Sequence, residues 1–318
     1  MKIFGLHDGH ACGYYRMLLP LDMMAADGHD VSTSCGWQDK ARDYDIIVGQ
    51  RVGKSEALPL WRRLRMDHKL VYETDDDVWS IDPTNVAAYM THSEAIMDAT
   101  AMAVTVAHMV TVSTEQLAEV LRRHHDNVVV LPNFIDEALL KVDRPQRDRL
   151  TIGWAGGDSH LKDIAMITPE LRRFLKRNPD VEFHNVGTDY TKYLGIPGRA
   201  TGWNQNMFGY YGSVDFDIGL APLVRNTFNN SKSHIKALEY AALGIPVIAS
   251  DEPPYRDFVL DGVTGYLVRD EHEWGHRLWQ LTNDDAMRKE MGAQAKVHAA
   301  DWTIQRNWHL WEDAYREL

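Results

Sequence analysis

An α/β chain built from two Rossmann-like domains is predicted by three observations. The sequence has 318 residues, short apolar runs alternate with helix-length segments along it, and that alternation restarts after a charged break. A length of this order suits two domains of about 150 residues each. Alternating strand and helix patterns indicate βαβ units and a parallel sheet covered on both faces.

The elements follow in order. Lys2 to Leu6 is a short apolar run that ends in a glycine-containing loop, and Tyr15 to Ala26 has the Met, Leu and Ala spacing of a helix. Gly28-His29-Asp30-Val31 closes that helix and begins a second strand. Asp45 to Val48, Leu70 to Glu73, Met109 to Val112 and Val128 to Leu131 read as further strands. Ser93 to Thr105 and Thr114 to Arg123 read as helices, the second with Ser113 as its N-cap. Asp143 to Arg149, charged and proline-containing, is the best linker. Beyond it Leu150 to Trp154, Val181 to Val186, Phe216 to Leu220, Pro246 to Ala249 and Gly265 to Val268 form a second set of strands. Trp302 to Leu318 places Trp302, Trp308, Trp311 and Tyr315 near helical spacing and reads as an amphipathic helix that packs as core. Domains of residues 1–145 and 150–301 followed by a terminal helix of 302–318 are expected.

Composition narrows the function classes. With 44% apolar and 25% charged residues the chain is globular throughout. No run of about 18 apolar residues occurs, and the opening MKIFGLHDGH turns polar too early for a signal peptide, so a cytoplasmic protein with no integral membrane segment is expected. Cys12 and Cys35 are expected to be free thiols in that reducing compartment. The formal charge of −12 argues against a general polyanion binder. A local strip remains, in which Lys54, Arg62, Arg63, Arg65 and Lys69 surround Leu58, Leu60, Trp61 and Leu64. It reads as a solvated amphipathic helix or as a grip for a nucleic-acid backbone or an anionic membrane. Arg122-Arg123-His124-His125 reads as a solvated helix end.

Open α/β sheets bind ligands beyond the carboxyl ends of their strands, and two such loops stand out. Ile152 to Asp163 carries Gly156 and Gly157, and Lys162 comes where a helix begins, an arrangement suited to a diphosphate. In Asn229 to Ser250, a polar loop feeds a helix on which Lys232, Lys236 and Glu239 fall at i, i+4 and i+7. Two cations followed by a carboxylate match the phosphates and ribose hydroxyls of a nucleoside diphosphate.

These residues resemble the retaining glycosyltransferases of family 4, the glycosyltransferase group 1 proteins with the GT-B fold, and the resemblance covers nearly the whole chain. Glu239 with Tyr240 to Ser250 is similar to the family's signature, in which that glutamate binds the donor ribose. Asp261 to Val268 resembles its continuation, Pro132-Asn133-Phe134-Ile135-Asp136 its step before the linker, and Gly156 to Lys162 its diphosphate loop. Three positions differ from the family: Ser231 stands where a second glutamate is usual, Cys12-Gly13-Tyr14-Tyr15-Arg16 replaces a glycine pair, and Glu73 to Trp79 replaces a His-Asp pair. The last segment resembles virus-encoded and related bacterial members.

The resemblance implies two Rossmann-like domains facing a central cleft, with the C-terminal helix packing back on the first. It implies a retaining hexosyltransferase that uses a nucleotide-sugar donor, most commonly UDP-linked. Gly13, Gly156, Gly157, Lys162, Ser231, Lys232, Lys236 and Glu239 would bind the donor. The leaving diphosphate would take the acceptor proton, with Lys162, Lys232 and Lys236 stabilising its charge.

His7, Arg16, Asp75, Asp76 and Asp77 are the acceptor-side candidates, with Asp76 closest to the chemistry. Three adjacent carboxylates imply a raised pKa or a bound cation. For this cluster acceptor orientation, a divalent cation and a solvated helix-capping loop stay open; no cofactor is required and no metal ligand is assigned. Hydroxymethylated DNA is the favoured acceptor, its flipped base stacking on Trp37 or Tyr14. A cell-envelope glycan, a lipid or a small metabolite are the alternatives, and a nucleotide-sugar binding protein without catalysis is the reading of another class.

Overall fold

The computed structural model describes residues 1–9, 12–83, 89, 93–145 and 147–318. His10 of the first loop and Gln146 of the charged linker lie outside them. The chain divides into two compact units, one of Met1–Ile135, Ser231–Ser233 and Ile304–Leu318, the other of Asp136–Asn230 and His234–Thr303. The change of unit thus comes at Ile135, ahead of the charged segment.

In the first unit the strands are β1 (Lys2–Leu6), β2 (Asp30–Ser34), β3 (Ile46–Gln50), β4 (Lys69–Thr74), β5 (Met109–Val112) and β6 (Val128–Val130). They form one parallel sheet in the order β2-β1-β3-β4-β5-β6. The helices are α1 (Leu19–Ala26), α2 (Leu58–Leu64), α3 (Glu94–Val106) and α4 (Glu115–Leu121). The segment expected as one helix from Tyr15 begins as a π-helical turn, Tyr14–Leu18, and becomes α-helical at Leu19, just before Pro20. The N-cap of α4 is Thr114, whose hydroxyl accepts from Leu117 N at 3.2 Å; Ser113 lies one residue too early to reach that amide.

Every residue of β3 is buried, as a strand covered on both faces requires. Leu58, Trp61 and Leu64 of α2 pack with Ile47, Leu70 and Tyr72 in the core. Each such side chain contributes about 1.5–3 kcal/mol on burial. The Trp61 indole N–H donates to Ala103 O at 3.0 Å, joining α2 to α3.

The second unit holds β7 (Thr151–Gly156), β8 (Glu182–Gly187), β9 (Arg199–Thr201), β10 (Ile218–Ala221), β11 (Val247–Ser250) and β12 (Gly265–Val268). They too are parallel, ordered β12-β11-β10-β7-β8-β9. The helices that matter are α5 (Leu161–Arg177), α6 (Ile235–Ala242), α7 (Glu271–Asn283) and α8 (Asp285–Ala299). The edge strand β9 was not foreseen, because three residues flanked by Gly198 and Gly202 show no alternation. Gly244 ends α6 with φ at +69°, a conformation that favours glycine, and turns the chain directly into β11.

The expected single helix of 302–318 is broken. It is a 3₁₀ turn at Ala300–Trp302, a short helix Ile304–Asn307 and a last helix His309–Arg316. Trp311 and Tyr315 are buried, and Ile304–Leu318 belongs to the first unit. Among the described residues no helix is long and apolar enough to cross a membrane.

Strand order reverses between β1 and β3 in the first sheet and between β7 and β10 in the second. Such a switch point opens a crevice at the carboxyl ends of the strands, where ligands of α/β proteins bind.

Candidate functional site

At the switch point of the second unit, β7 ends in Gly156 and Gly157, and α5 starts with exposed Lys162 in its first turn. The loop is tied down on both sides. Tyr190 donates its hydroxyl to Gly157 O at 3.0 Å and accepts from His160 N at 3.2 Å. Asp163, buried in α5, accepts from Val224 N at 2.8 Å and from Asn229 Nδ2 at 3.0 Å, and its other oxygen lies 2.8 Å from His160 Nδ1. The loop after β10 is thereby joined to the start of α5.

Helix α6 supplies the rest. It is buried at seven of its eight positions, and among these are Lys236 and Glu239. Lysine and glutamate are rarely buried in a helix without a task. The Lys236 amine donates to Ala155 O and lies 4.8 Å from the centre of the Trp154 ring. Tyr240 of the same helix accepts from Ala155 N at 2.9 Å. A Cβ at Gly156 would stand 2.7 Å from the Trp154 ring and 2.8 Å from the Lys236 amine, so a side chain there would displace the cation. Nothing lies within 4 Å of a Cβ at Gly157, which leaves that backbone open to a ligand. Burial first and the Glu239 charge second push the Tyr210 phenol well above its ordinary value.

Lys232 is not on this helix. α6 starts at Ile235, because His234, buried beside Phe258 and Trp302, occupies the N-cap. Ser231–Ser233 group with the first unit instead. There Thr114 Oγ1 donates to Ser231 O at 2.9 Å, Asn133 Nδ2 donates to Ser233 Oγ at 2.8 Å, and Lys232 Nζ lies 3.9 Å from Asp76 Oδ1.

The switch point of the first unit gathers two of the acceptor-side candidates, Asp75 and Asp76, around a residue the sequence reading missed. Arg51 follows β3 with φ at +51°, uncommon for a side chain of its size and a mark of functional strain. Its guanidinium reaches Asp75 at 2.6 Å, Asp76 at 2.6 Å and Asp8 at 3.1 Å, and donates to Cys12 Sγ at 3.3 Å. Of the three adjacent carboxylates, Asp75 and Asp76 thus have a cation from the chain itself. Burial would raise the Asp75 carboxyl, but Arg51, the Cys12 thiol and Arg16 together hold it below its ordinary value. Asp8 goes the other way: burial raises it, and Arg51 opposes that only in part. Asp77 is fully buried and caps the next turn, with Oδ1 accepting from Trp79 N at 3.1 Å.

Arg16 does not reach a surface. Its side chain is 0% exposed and forms a two-pronged pair with Glu73 at 2.6 and 3.0 Å. It also donates to Leu131 O and, at 3.0 Å, to Asn133 Oδ1. Arg16 thus clamps the carboxyl ends of β4 and β6 instead of meeting an acceptor. Burial raises Glu73, with Arg16 opposing.

His7 is buried beside the free thiol of Cys35, whose Sγ is 3.5 Å from His7 Nδ1. Gly13 leaves room for it, since a Cβ there would come within 3.2 Å of His7 Cβ. His7, Asp8, Gln50 and Arg51 are among the residues lining a cavity of about 390 Å³.

Of the basic strip, Arg65 donates to Val106 O and Ala107 O and so caps α3, while Arg62 and Arg63 are exposed. Of the basic helix end, Arg122 pairs with Glu115 and His124 stacks on Trp79 at 4.5 Å. Asp27, His29 and Glu312 bring ligand-type atoms within 4.8 Å of one another. Both His29 nitrogens already have partners, however: Met1 N at 2.8 Å and Glu312 Oε1 at 3.1 Å.

Part of the chain is similar to proteins of a known family. Residues 149–284 match the family described as glycosyl transferases group 1. The chain is 27% identical over 220 residues to a D-inositol 3-phosphate glycosyltransferase of Stackebrandtia nassauensis, covering 59% of this chain and 48% of that protein. It is 28% identical over 195 residues to a phosphatidyl-myo-inositol mannosyltransferase of Mycolicibacterium smegmatis, covering 56% and 49%. For another D-inositol 3-phosphate glycosyltransferase, from Paenarthrobacter aurescens, the match is 36% over 103 residues and covers 32% and 24%. The chain therefore spans between a quarter and a half of the length of these relatives.

Among solved structures, HepE of Anabaena in complex with UDP and glucose superposes with a TM-score of 0.71 at 15% identity, covering all of both chains. Sucrose-phosphate synthase of Thermosynechococcus elongatus superposes with a TM-score of 0.67 at 14% identity, covering 100% and 99%. The chain has the GT-B fold, and its residues 149–284 are matched by the glycosyl transferases group 1 family.

Proposed function

We propose that this chain is a glycosyltransferase that moves a hexose from a UDP-sugar to a hydroxyl acceptor with retention of anomeric configuration. The observation that carries this is the pair Lys236 and Glu239, both buried on α6, with the Lys236 amine against the open Gly156–Gly157 loop at the switch point of the second sheet. Lys162 at the start of α5 and Lys236 hold the diphosphate, and Glu239 accepts the ribose hydroxyls. UDP is favoured by the UDP and glucose bound in HepE.

As the glycosidic bond breaks, negative charge grows on the leaving phosphate. Lys162 and Lys236 stabilise it, and the leaving diphosphate takes the proton of the incoming hydroxyl. Arg51 pairs with both Asp75 and Asp76 and offsets part of their charge, and the first unit orients the acceptor.

The likeness of Glu73 to Trp79 to virus-encoded members makes a hydroxymethylated DNA base one acceptor to test, and the relatives' names add inositol phosphates. The experiment incubates the chain with UDP- and GDP-hexoses and a panel of acceptors: duplex DNA with 5-hydroxymethylpyrimidines, inositols, sugars and lipids. Release of UDP together with a hexose-sized mass gain on one acceptor supports the proposal. Failure to bind or turn over any nucleotide sugar overturns it.

A further inference from the structure

We infer that the cavity of the first unit is an acceptor subsite for an uncharged polyhydroxylated ring, a sugar or cyclitol presented without phosphate at that point. The inference rests on the transferase reading and names the substrate class at its acceptor side.

The cavity, about 390 Å³, lies where the order of the first sheet reverses. Its volume is that of a small-molecule site. Its lining is apolar at Trp37, Leu60 and Trp61 and polar at Asp8, Gln50 and Arg51.

Gln50 is the decisive residue. It is 5% exposed, and its Oε1 accepts from Asp8 N at 3.2 Å, which fixes the orientation of the amide. Its Nε2 then has no acceptor among the described residues. A buried donor left without a partner costs about 1–3 kcal/mol, and a ligand oxygen would relieve that cost. The Asp8 carboxylate next to it can accept from a second hydroxyl.

Charge sets the class. Arg51, the cation at this end of the cavity, already serves Asp8, Asp75 and Asp76. Lys232 faces Asp76, and Lys54 is exposed. Arg51 and Lys232 together face three carboxylates, so a phosphate brought to this end of the cavity meets negative charge instead of an open cation. An uncharged ring suits both parts of the lining, its C–H face on Trp37 and its hydroxyls on Gln50 and Asp8. The Arg42 guanidinium, 5.7 Å from the Trp37 ring centre, holds that indole in place.

Cys35, an exposed free thiol lining the same cavity, makes the test independent of turnover. Alkylation of Cys35 by iodoacetamide is followed by mass spectrometry with myo-inositol or methyl glucoside, and with myo-inositol 1-phosphate and glucose 6-phosphate. The neutral rings are expected to slow alkylation several-fold, and their phosphorylated counterparts to protect no better. Gln50→Leu and, separately, Trp37→Ala should abolish protection while the melting transition stays cooperative, and Arg62→Ala should leave it intact.

No protection by any neutral ring, or protection on the order of tenfold tighter by the phosphorylated probes, overturns the inference. So does protection that survives both Gln50→Leu and Trp37→Ala. Release of UDP is measured in parallel. Protection without UDP release sinks the transferase reading and leaves a ring-binding pocket; UDP release without protection does the opposite.

Discussion

Replacing Lys236 by Met should separate catalysis from stability. The amine is buried, makes a hydrogen bond to Ala155 O and faces the Trp154 ring at 4.8 Å, while the carboxylate on the same helix is three positions on, at Glu239. Methionine keeps the aliphatic stem in its packing and removes only the charge. Removing a buried cation also removes its desolvation cost, so the folded state should change by no more than about 1 kcal/mol in either direction. In the proposed transfer the same cation meets a phosphate that acquires charge in the transition state. Loss of one such group raises a barrier by about 2.7–4 kcal/mol, a fall of 10²–10³ in kcat. UDP release from a UDP-hexose gives kcat, and urea unfolding gives stability. A Lys236→Met protein of unchanged stability that keeps kcat within about threefold of the parent would refute the assignment, since that is under 1 kcal/mol of barrier.

Three other outcomes follow. Gly156→Ala places a methyl 2.8 Å from the Lys236 amine, so UDP-hexose turnover should fall at least as far as in Lys236→Met, with an overpacking cost of about 1–3 kcal/mol in urea unfolding. Arg16→Met strands the buried Glu73 carboxylate and should cost about 3–5 kcal/mol of stability, part of which Glu73→Gln restores in the double variant; a neutral Arg16→Met would show that the clamp is not structural. His234 is pushed down to about 3 by burial, with His298 adding to the effect. Its contribution is complete above the ordinary histidine value near 6.5 and is lost as pH falls towards 3, so the wild type should lose about 2 kcal/mol more than His234→Leu between pH 7 and pH 5 in urea unfolding.

The β-α alternation was legible because each strand is a buried apolar run flanked by polar turns, as in Ile46–Gln50 and Val247–Ser250. Three elements were read wrongly, each for a local reason. The terminal helix breaks because buried Thr303 and Ile304 interrupt it, and Ile304 N donates to Ile135 O, a contact no periodicity announces. Lys232 was placed on α6 by spacing alone, although the helix begins only after His234. β9 is too short to show a pattern.

The site was half legible. Gly156, Lys162, Lys236 and Glu239 stand in strand-to-helix loops or on the helix after them, where chemistry is looked for, and the second unit assembles the glycine loop with Lys236. Arg51 went unnoticed because a single arginine after a strand looks like any surface cation. Its three carboxylate partners lie 24, 25 and 43 residues away along the chain. Tyr190 and Asp163, which hold the loop after β7, are likewise ordinary residues until the fold brings them to it.

The central claim is most directly tested by titrating UDP into the protein by calorimetry and measuring UDP release from UDP-glucose, for the wild type and for Glu239→Ala. The account predicts saturable UDP binding and measurable release by the wild type, with both strongly weakened by Glu239→Ala in a protein that still unfolds cooperatively. Absence of UDP binding by the wild type, or binding and release untouched by Glu239→Ala, would contradict it.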